Sequence, residues 1–228
     1  MLTALNLNRT EHEENFRLFM LNMFNHTAYG LGVSFITAFG IWQLGLFSFF
    51  MTGPMAFVTM LAPLGMILWY SFKGQDWDLA TMHGFYYAFV AVMGIGLSGI
   101  FFRYASTSIV EAFLVTSLTF GAASYYGYKT KRDLSGMGGF LMMGLIGLLI
   151  AILVNFFLQS SMFSFIISII GVLIFVGLTM WDVQTAKTIF AENPDPVFGL
   201  QMALSLYLNF VNIFQFILSL TGTNPSDD

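Results

Sequence analysis

Long apolar runs, separated by short polar breaks, dominate the chain. The breaks carry turn-forming or charged residues, such as Gly53-Pro54, the charged stretch 129–133 and the proline-containing stretch 192–196. A run of about 20 apolar residues is long enough to cross a bilayer as a helix. The pattern therefore predicts an all-α polytopic membrane protein with seven transmembrane helices, at 25–50, 55–72, 81–102, 108–128, 136–158, 163–186 and 201–220.

The two ends of the chain differ from this transmembrane domain, which is expected to cover residues 25–220. Residues 1–24 are polar and charged, with Glu13 and Glu14 followed by Phe16 and Leu18. Their pattern predicts a cytoplasmic or interfacial helix lying on the membrane surface, and it lacks the early apolar segment of a cleavable signal peptide. Residues 221–228 form a short acidic tail.

The basic residues predict an orientation. Basic residues favour the cytoplasmic side. With seven spans, seven of the eight Lys and Arg residues fall on one side and only Arg103 falls on the other. The N-terminus is therefore expected in the cytoplasm and the C-terminus outside.

Composition excludes several classes of protein. Hydrophobic residues make up 57% of the chain and charged residues 9%, whereas soluble domains carry about 25% charge. The expected surroundings are membrane lipid. A net charge of −4 without a long basic cluster argues against nucleic-acid binding. The absence of cysteine excludes disulfides and thiolate metal sites.

Asp182 is the most unusual residue, because it lies near the end of a membrane-length apolar run. An ionisable group at such a depth indicates a functional site when a partner can be named. Asn209 enters the membrane from the same side at a similar depth, and it shares one helical face with Ser205 and Asn212. This polar face predicts that the last helix is central in the bundle. Hydrogen bonding that only holds helices together is the alternative.

Other sequence patterns are typical of enzymes or of retinal proteins, but the further residues that their chemistry requires are missing. The string Gly96–Gly99 matches intramembrane serine proteases, but none of the three histidines is placed to act as a base. An aspartyl protease needs paired carboxylates, and Glu111 lies at the opposite side of the membrane from Asp182. The last span, 201–220, contains no lysine for a retinal Schiff base. We predict no enzymatic activity and no cofactor.

Three motifs, which follow one another along the chain, and a segment near the N-terminus point to a known family. They are Phe120–Gly138, Trp181–Lys187 and Ala203–Phe214, and they resemble the Bax inhibitor-1 family of transmembrane proteins. The segment Phe19–Asn25 resembles its bacterial branch. The resemblance implies a seven-helix fold with the last helix wrapped by the others, a pH-sensitive calcium leak, and location in a bacterial inner membrane.

The resemblance also implies a gate near the cytoplasmic side. In the family, an aspartate ending helix six pairs with another in helix seven, and a basic residue in helix two helps to hold the pair closed. Asp182 matches the first aspartate, Asn209 occupies the second position, and Lys73 is the candidate for the basic residue. Because two adjacent carboxylates share a proton and an Asp–Asn pair does not, we expect a weaker pH response and weaker attraction for calcium.

The leading prediction is a calcium leak channel or transporter gated by Asp182 with Asn209. The predicted supporting residues are Ser205, Asn212, Glu111 and Lys73. Glu111 fits an interfacial helix cap equally well. Calcium is the transported ion that the resemblance implies, and Asp182 would be its weak, transient ligand. One alternative is a non-conducting membrane regulator that binds a membrane protease or translocase. Another is a proton-coupled transporter of small solutes.

Overall fold

The computed structural model describes residues 2–225, with side chains described from residue 11 onward. The acidic tail residues Ser226, Asp227 and Asp228 lie outside the described residues. Within the described part of the chain every long element is an α-helix, so the all-α prediction is confirmed. The helices are α1 (Leu2–Gln43), α2 (Phe47–Met51), α3 (Gly53–Lys73), α4 (Leu79–Leu97), α5 (Ile100–Arg103), α6 (Ser106–Lys129), α7 (Ser135–Leu158), α8 (Ser161–Glu192) and α9 (Pro196–Thr221).

Six segments among the described residues are long and apolar enough to cross a membrane, so the chain is a multi-pass membrane protein. They correspond to the predicted spans two to seven. The last of them has the largest buried share, 61% against 6–39% for the others, as expected for a helix whose polar face is covered. They are Gly53–Asp76, Leu79–Arg103, Ser106–Lys129, Ser135–Leu158, Ser161–Glu192 and Pro196–Thr221.

The first predicted span, 25–50, is not among these six. Helix α1 runs through the predicted boundary at residue 24 without a break, because no glycine or proline interrupts it there. It ends at Gln43, where Gly45 adopts a positive φ of 67° and turns the chain toward α2. Polar residues such as Asn25 and His26 lower the hydropathy of this region. A membrane crossing by residues 25–50 stays a prediction, and so do the total of seven crossings, the central position of the last helix and the orientation that depends on that total.

The start of α4 is capped by Asp78, whose carboxylate accepts a hydrogen bond from the backbone N–H of Thr81 at 3.0 Å. Hydrogen bonds from the Thr81 side chain and backbone hold the pKa of Asp78 below its ordinary value. A carboxyl group with a lowered folded-state pKa stabilises the fold above its ordinary pKa. That contribution disappears as the pH falls through the lowered pKa.

We expect Asp78→Ala to lower the thermal stability of the detergent-purified protein at pH 7. The difference from wild type should shrink at about pH 3, below the ordinary Asp pKa, since the wild-type carboxylate is then losing its charge. Asp78→Asn is the matched control, because an amide oxygen still accepts from Thr81. An equal loss at both pH values would contradict the assigned role of the charge.

The described chain divides into two compact units. One contains the residues up to Gly99 together with Ala186–Leu204; the other contains Ile100–Thr185 together with the residues from Ser205 onward. In the first unit α1 packs closely on α4. The Ser34 hydroxyl donates to the Val90 carbonyl at 2.6 Å. The Tyr86 hydroxyl donates to a carbonyl of α1 at 2.6 Å, and glycine at Gly94 lets the two backbones approach.

The second unit is held together by close contacts between α6, α7, α8 and α9. A Cβ at Gly127 of α6 would overlap the backbone of Met180 in α8, and a Cβ at Gly138 of α7 would overlap the Trp181 ring. Phe120 of α6 packs its ring on Phe210 of α9 at 5.4 Å. These glycines are therefore required by helix packing, which small residues promote inside membranes.

Candidate functional site

A buried polar cluster lies in the second unit, where α8 and α9 face each other. Asp182 of α8 and Asn209 of α9 are each only 4% exposed. The Asn209 amide Nδ2 donates to Asp182 Oδ2 at 2.7 Å, and the Ser205 hydroxyl donates to the same oxygen at 2.6 Å. The predicted pair is therefore in direct contact, and Ser205 is the third member of the polar cluster.

Two features of the chain place these side chains together. Ser205 and Asn209 are four residues apart on α9, so they project from one face. In this unit the helices run antiparallel, since Asp182 contacts Asn209 while Ser168, nearer the start of α8, hydrogen-bonds Ser219, nearer the end of α9, at 3.2 Å. The polar face predicted from the sequence thus meets the only carboxylate of α8 that is buried.

The neighbours of Asp182 along α8 are locked by packing. Val183 is fully buried. Thr179, one turn earlier, is also fully buried and donates to the Phe175 carbonyl at 2.8 Å. Together with the contacts of Met180 and Trp181 on the two glycines described above, this packing fixes the rotation of α8 and aims Asp182 at α9.

Gln184, which sequence reasoning did not single out, holds the charged loop between α6 and α7. Its Oε1 accepts from the backbone N–H of Leu134 at 2.7 Å, and its Nε2 donates to the Arg132 carbonyl at 2.7 Å. Gln184 lies two residues after Asp182 within the motif Trp181–Lys187. Its position in an apolar helix was the signal in the sequence. The loop is consequently tied to the helix that carries the carboxylate.

The other predicted residues do not join the cluster in the same way. Asn212 is half-buried, and its Nδ2 donates to the carbonyl of Leu208 in its own helix at 2.8 Å. Glu111 is exposed on α6, and Lys73 is exposed at the end of α3 in the first unit. The roles assigned to Glu111 and Lys73 stay predictions.

Two buried hydroxyls of α6 were also missed. Thr116 is fully buried and Ser124 is 6% exposed, and their oxygens have no hydrogen-bond partner among the described residues. Both lie on the same face of α6 as Phe120, which packs against α9. Buried hydroxyls ordinarily have partners, including ordered water. The sequence of α6 is only weakly amphipathic. It therefore did not show which of its serine and threonine residues are buried.

The chemistry of the cluster is that of a single carboxylate with neutral donors. Calcium prefers six to eight oxygen ligands, whereas Asp182, Ser205 and Asn209 offer only a few oxygens. Within the described residues, no three His, Cys, Asp or Glu side chains gather to hold a metal ion. The cluster fits a short-lived contact with a passing cation better than a resident metal site.

Comparison with known proteins identifies the family. A family model described as "Inhibitor of apoptosis-promoting Bax1" matches residues 16–226. The chain belongs to the Bax inhibitor-1 family. Within this family it is 38% identical to an uncharacterized protein of Rickettsia prowazekii, with 97% of this chain and 95% of that protein covered.

Two other relatives are similar to this member of the Bax inhibitor-1 family. An uncharacterized protein of Caulobacter vibrioides is 37% identical, over 91% of this chain and 89% of its own. The inner membrane protein YbhL of Escherichia coli K12 is 39% identical, over 72% of both chains. The family resemblance predicted from the three motifs, and its bacterial branch, are thus confirmed.

Proposed function

We propose that the protein is a calcium leak channel or transporter of the Bax inhibitor-1 type, gated by Asp182 with Asn209. The observation that supports this most is a carboxylate, 4% exposed, that accepts hydrogen bonds from Ser205 and Asn209 between two apolar helices. Ionisable groups in membrane helices are costly, and they mark ion pathways or proton relays.

The gate works through an exchange of partners at Asp182 Oδ2. In the closed arrangement this oxygen is occupied by two neutral donors, the Ser205 hydroxyl and the Asn209 amide. A calcium ion reaching the cluster replaces these donors, and the amide and hydroxyl oxygens turn toward the ion as ligands. One negative charge leaves the dication only half neutralised, so the ion departs again. Transient binding of this kind suits a leak.

The partner of Asp182 also sets the expected response to pH. Asn209 does not titrate, so the pair has no proton to share and lacks the repulsion between two carboxylates. We propose a shallow pH dependence for the wild-type protein. The membrane we propose is the bacterial inner membrane, by analogy with YbhL, which is described as an inner membrane protein.

The test is calcium flux into dye-loaded liposomes that contain the purified protein, measured from about pH 6 to pH 8. Asp182→Asn is expected to reduce the flux at least about tenfold. A monovalent cation loses roughly 4 kcal/mol of attraction when a unit charge at 4 Å is removed from a site near a protein surface, and Ca²⁺ loses about twice as much. Asn212→Ala, in which the lost amide bonds only to its own helix, should keep most of the wild-type flux.

A folded wild-type protein that gives no flux above empty liposomes would contradict the proposal. That outcome would favour a non-conducting membrane regulator that binds a membrane protease or translocase. Saturable uptake of a small solute, driven by a proton gradient, would instead indicate a transporter.

A further inference from the structure

A cleft in the first unit brings together two histidines that the proposed calcium gate does not use. Its volume is about 460 Å³, and it is lined by α1, by the start of α4, by the end of α8, by the start of α9 and by the connection between these last two helices. His26 of α1 and His83 of α4 both line it. Both are partly exposed, so a solute can reach them.

The hydrogen bonds of the two rings involve the same nitrogen, Nδ1, in each. His83 Nδ1 lies 2.9 Å from the Leu79 carbonyl oxygen, which can only accept, so this nitrogen carries the proton. His26 Nδ1 lies 3.0 Å from the Tyr87 hydroxyl oxygen. When His26 Nδ1 donates to that oxygen, Nε2 of both rings keeps its lone pair. Metal-binding histidines ordinarily show this arrangement, in which the other ring nitrogen donates to a carbonyl or another oxygen.

The spacing of the rings matches two ligands of one tetrahedral ion. Zinc binds imidazole nitrogen at 2.0–2.1 Å, and the ring centre lies about 1.2 Å further out, so two ligands at a tetrahedral angle have centres about 5.2 Å apart. The ring centroids of His26 and His83 are 5.0 Å apart, with 68° between the ring planes. Rings in an edge-to-face pair adopt a similar spacing, so what favours a shared ion is that Nδ1 of each ring is already engaged in a hydrogen bond.

The other residues that line the cleft indicate which kind of ion fits there. Asn22 lies one helical turn before His26 on α1 and also lines the cleft, as does Asn15. Their amide oxygens and water are available as further ligands. Among the described residues no carboxylate lines the cleft, whereas calcium sites are ordinarily built around carboxylates. Neutral imidazole suits zinc and copper.

We propose that His26 and His83 form a transition-metal site of the zinc or copper class, which joins α1 to α4. This site is separate from Asp182 and does not depend on calcium conduction. Because a bound ion stabilises the folded state that contains its ligands, metal should raise the thermal stability of the protein.

The test uses the full chain, purified without a histidine tag, with Zn²⁺ and Cu²⁺ as the probes. We expect about one ion bound per chain in equilibrium dialysis and a raised thermal transition in its presence. His26→Gln and His83→Gln should each lose this binding at metal concentrations that saturate the wild type. His12→Gln is the matched control, because His12 is the third of the three histidines and packs on the Phe190 ring instead.

Two further measurements keep the test independent of how the variants fold. The electron paramagnetic resonance spectrum of Cu²⁺ bound to the wild type should show two imidazole nitrogens as ligands. Tyr87→Phe, which removes only the partner of His26 Nδ1, should weaken binding by about tenfold. The proposal is overturned if the wild type retains no metal, if the spectrum shows no pair of nitrogens, or if His12→Gln loses as much binding as the other two variants.

Discussion

Replacing Asn209 with aspartate is expected to give a calcium flux that depends steeply on pH, unlike the wild-type flux. The substitution is close in shape and puts a carboxyl oxygen where Nδ2 now lies, 2.7 Å from Asp182 Oδ2. Two carboxyl groups at this distance cannot both be ionised cheaply, so they hold one proton between them. Its release changes the charge of the cluster by a full unit.

The size of this effect follows from that change of charge. A unit charge contributes roughly 4 kcal/mol at 4 Å in a protein-like dielectric, which is more than a hundredfold in an equilibrium. We therefore expect the flux at pH 6 and at pH 8 to differ by at least about tenfold in Asn209→Asp. The wild-type ratio should be smaller, because Asp182 is the only titrating group of the cluster and the hydrogen bonds donated by Ser205 and Asn209 favour its charged form. The measurement is flux into dye-loaded liposomes across this pH range.

Asn212→Asp is the matched control for this experiment. It makes the same chemical change three residues further along α9, at an amide that bonds to its own helix through the Leu208 carbonyl. Its pH profile should stay close to that of the wild type. Equal profiles for Asn209→Asp and Asn212→Asp would show that the contact with Asp182 is not the element that senses pH.

Alanine at Gly127 is expected to destabilise the protein by about 3 kcal/mol or more, the upper end of the cost of overpacking a core. A Cβ here would overlap the backbone of Met180, with Met180 Cα only 3.0 Å away. Backbone atoms cannot rotate aside as a flexible side chain can, so α6 and α8 must separate. Met180 lies two residues before Asp182, so the separation should also disturb the polar cluster.

Gly121→Ala supplies the control within the same helix. A Cβ at Gly121 has nothing within 4 Å, and alanine is a better helix former than glycine by about 1 kcal/mol. This variant should be as stable as wild type or slightly more stable. Reversible unfolding of the detergent-purified proteins measures both effects. Similar stability for Gly127→Ala and Gly121→Ala would contradict the close approach of α6 and α8.

Much of the helical framework was predictable, because membrane helices leave a strong local signal. Breaks at Gln159–Ser161 and at the prolines after Glu192 separate apolar runs, and α7, α8 and α9 begin or end near them. The start of α9 at Pro196 is typical, since proline is tolerated in the first turn. The first predicted span was less predictable, since polar residues in α1 weaken its apolar signal and no breaker marks residue 24.

The candidate site was predictable in part for a related reason. Asp182 is conspicuous in the sequence because an ionisable side chain in an apolar membrane helix costs free energy. The spacing of Ser205 and Asn209 places both on one helical face. The two hydrogen bonds between Gln184 and the loop before α7 were not predictable, because the partners of Gln184 are backbone groups 50 and 52 residues away. Asn212 shares the polar face, but its amide bonds within its own helix.

Hydropathy, spacing and motifs are local properties of the chain, and they were enough to assign the class of protein, the family, and the candidate pair Asp182 and Asn209. Which groups meet became clear from the folded chain alone. It placed Ser205 on the same oxygen as Asn209, brought Gly127 against Met180, and set His26 beside His83. Such contacts depend on how helices distant in the chain rotate and pack, and a pattern along one helix does not contain that information.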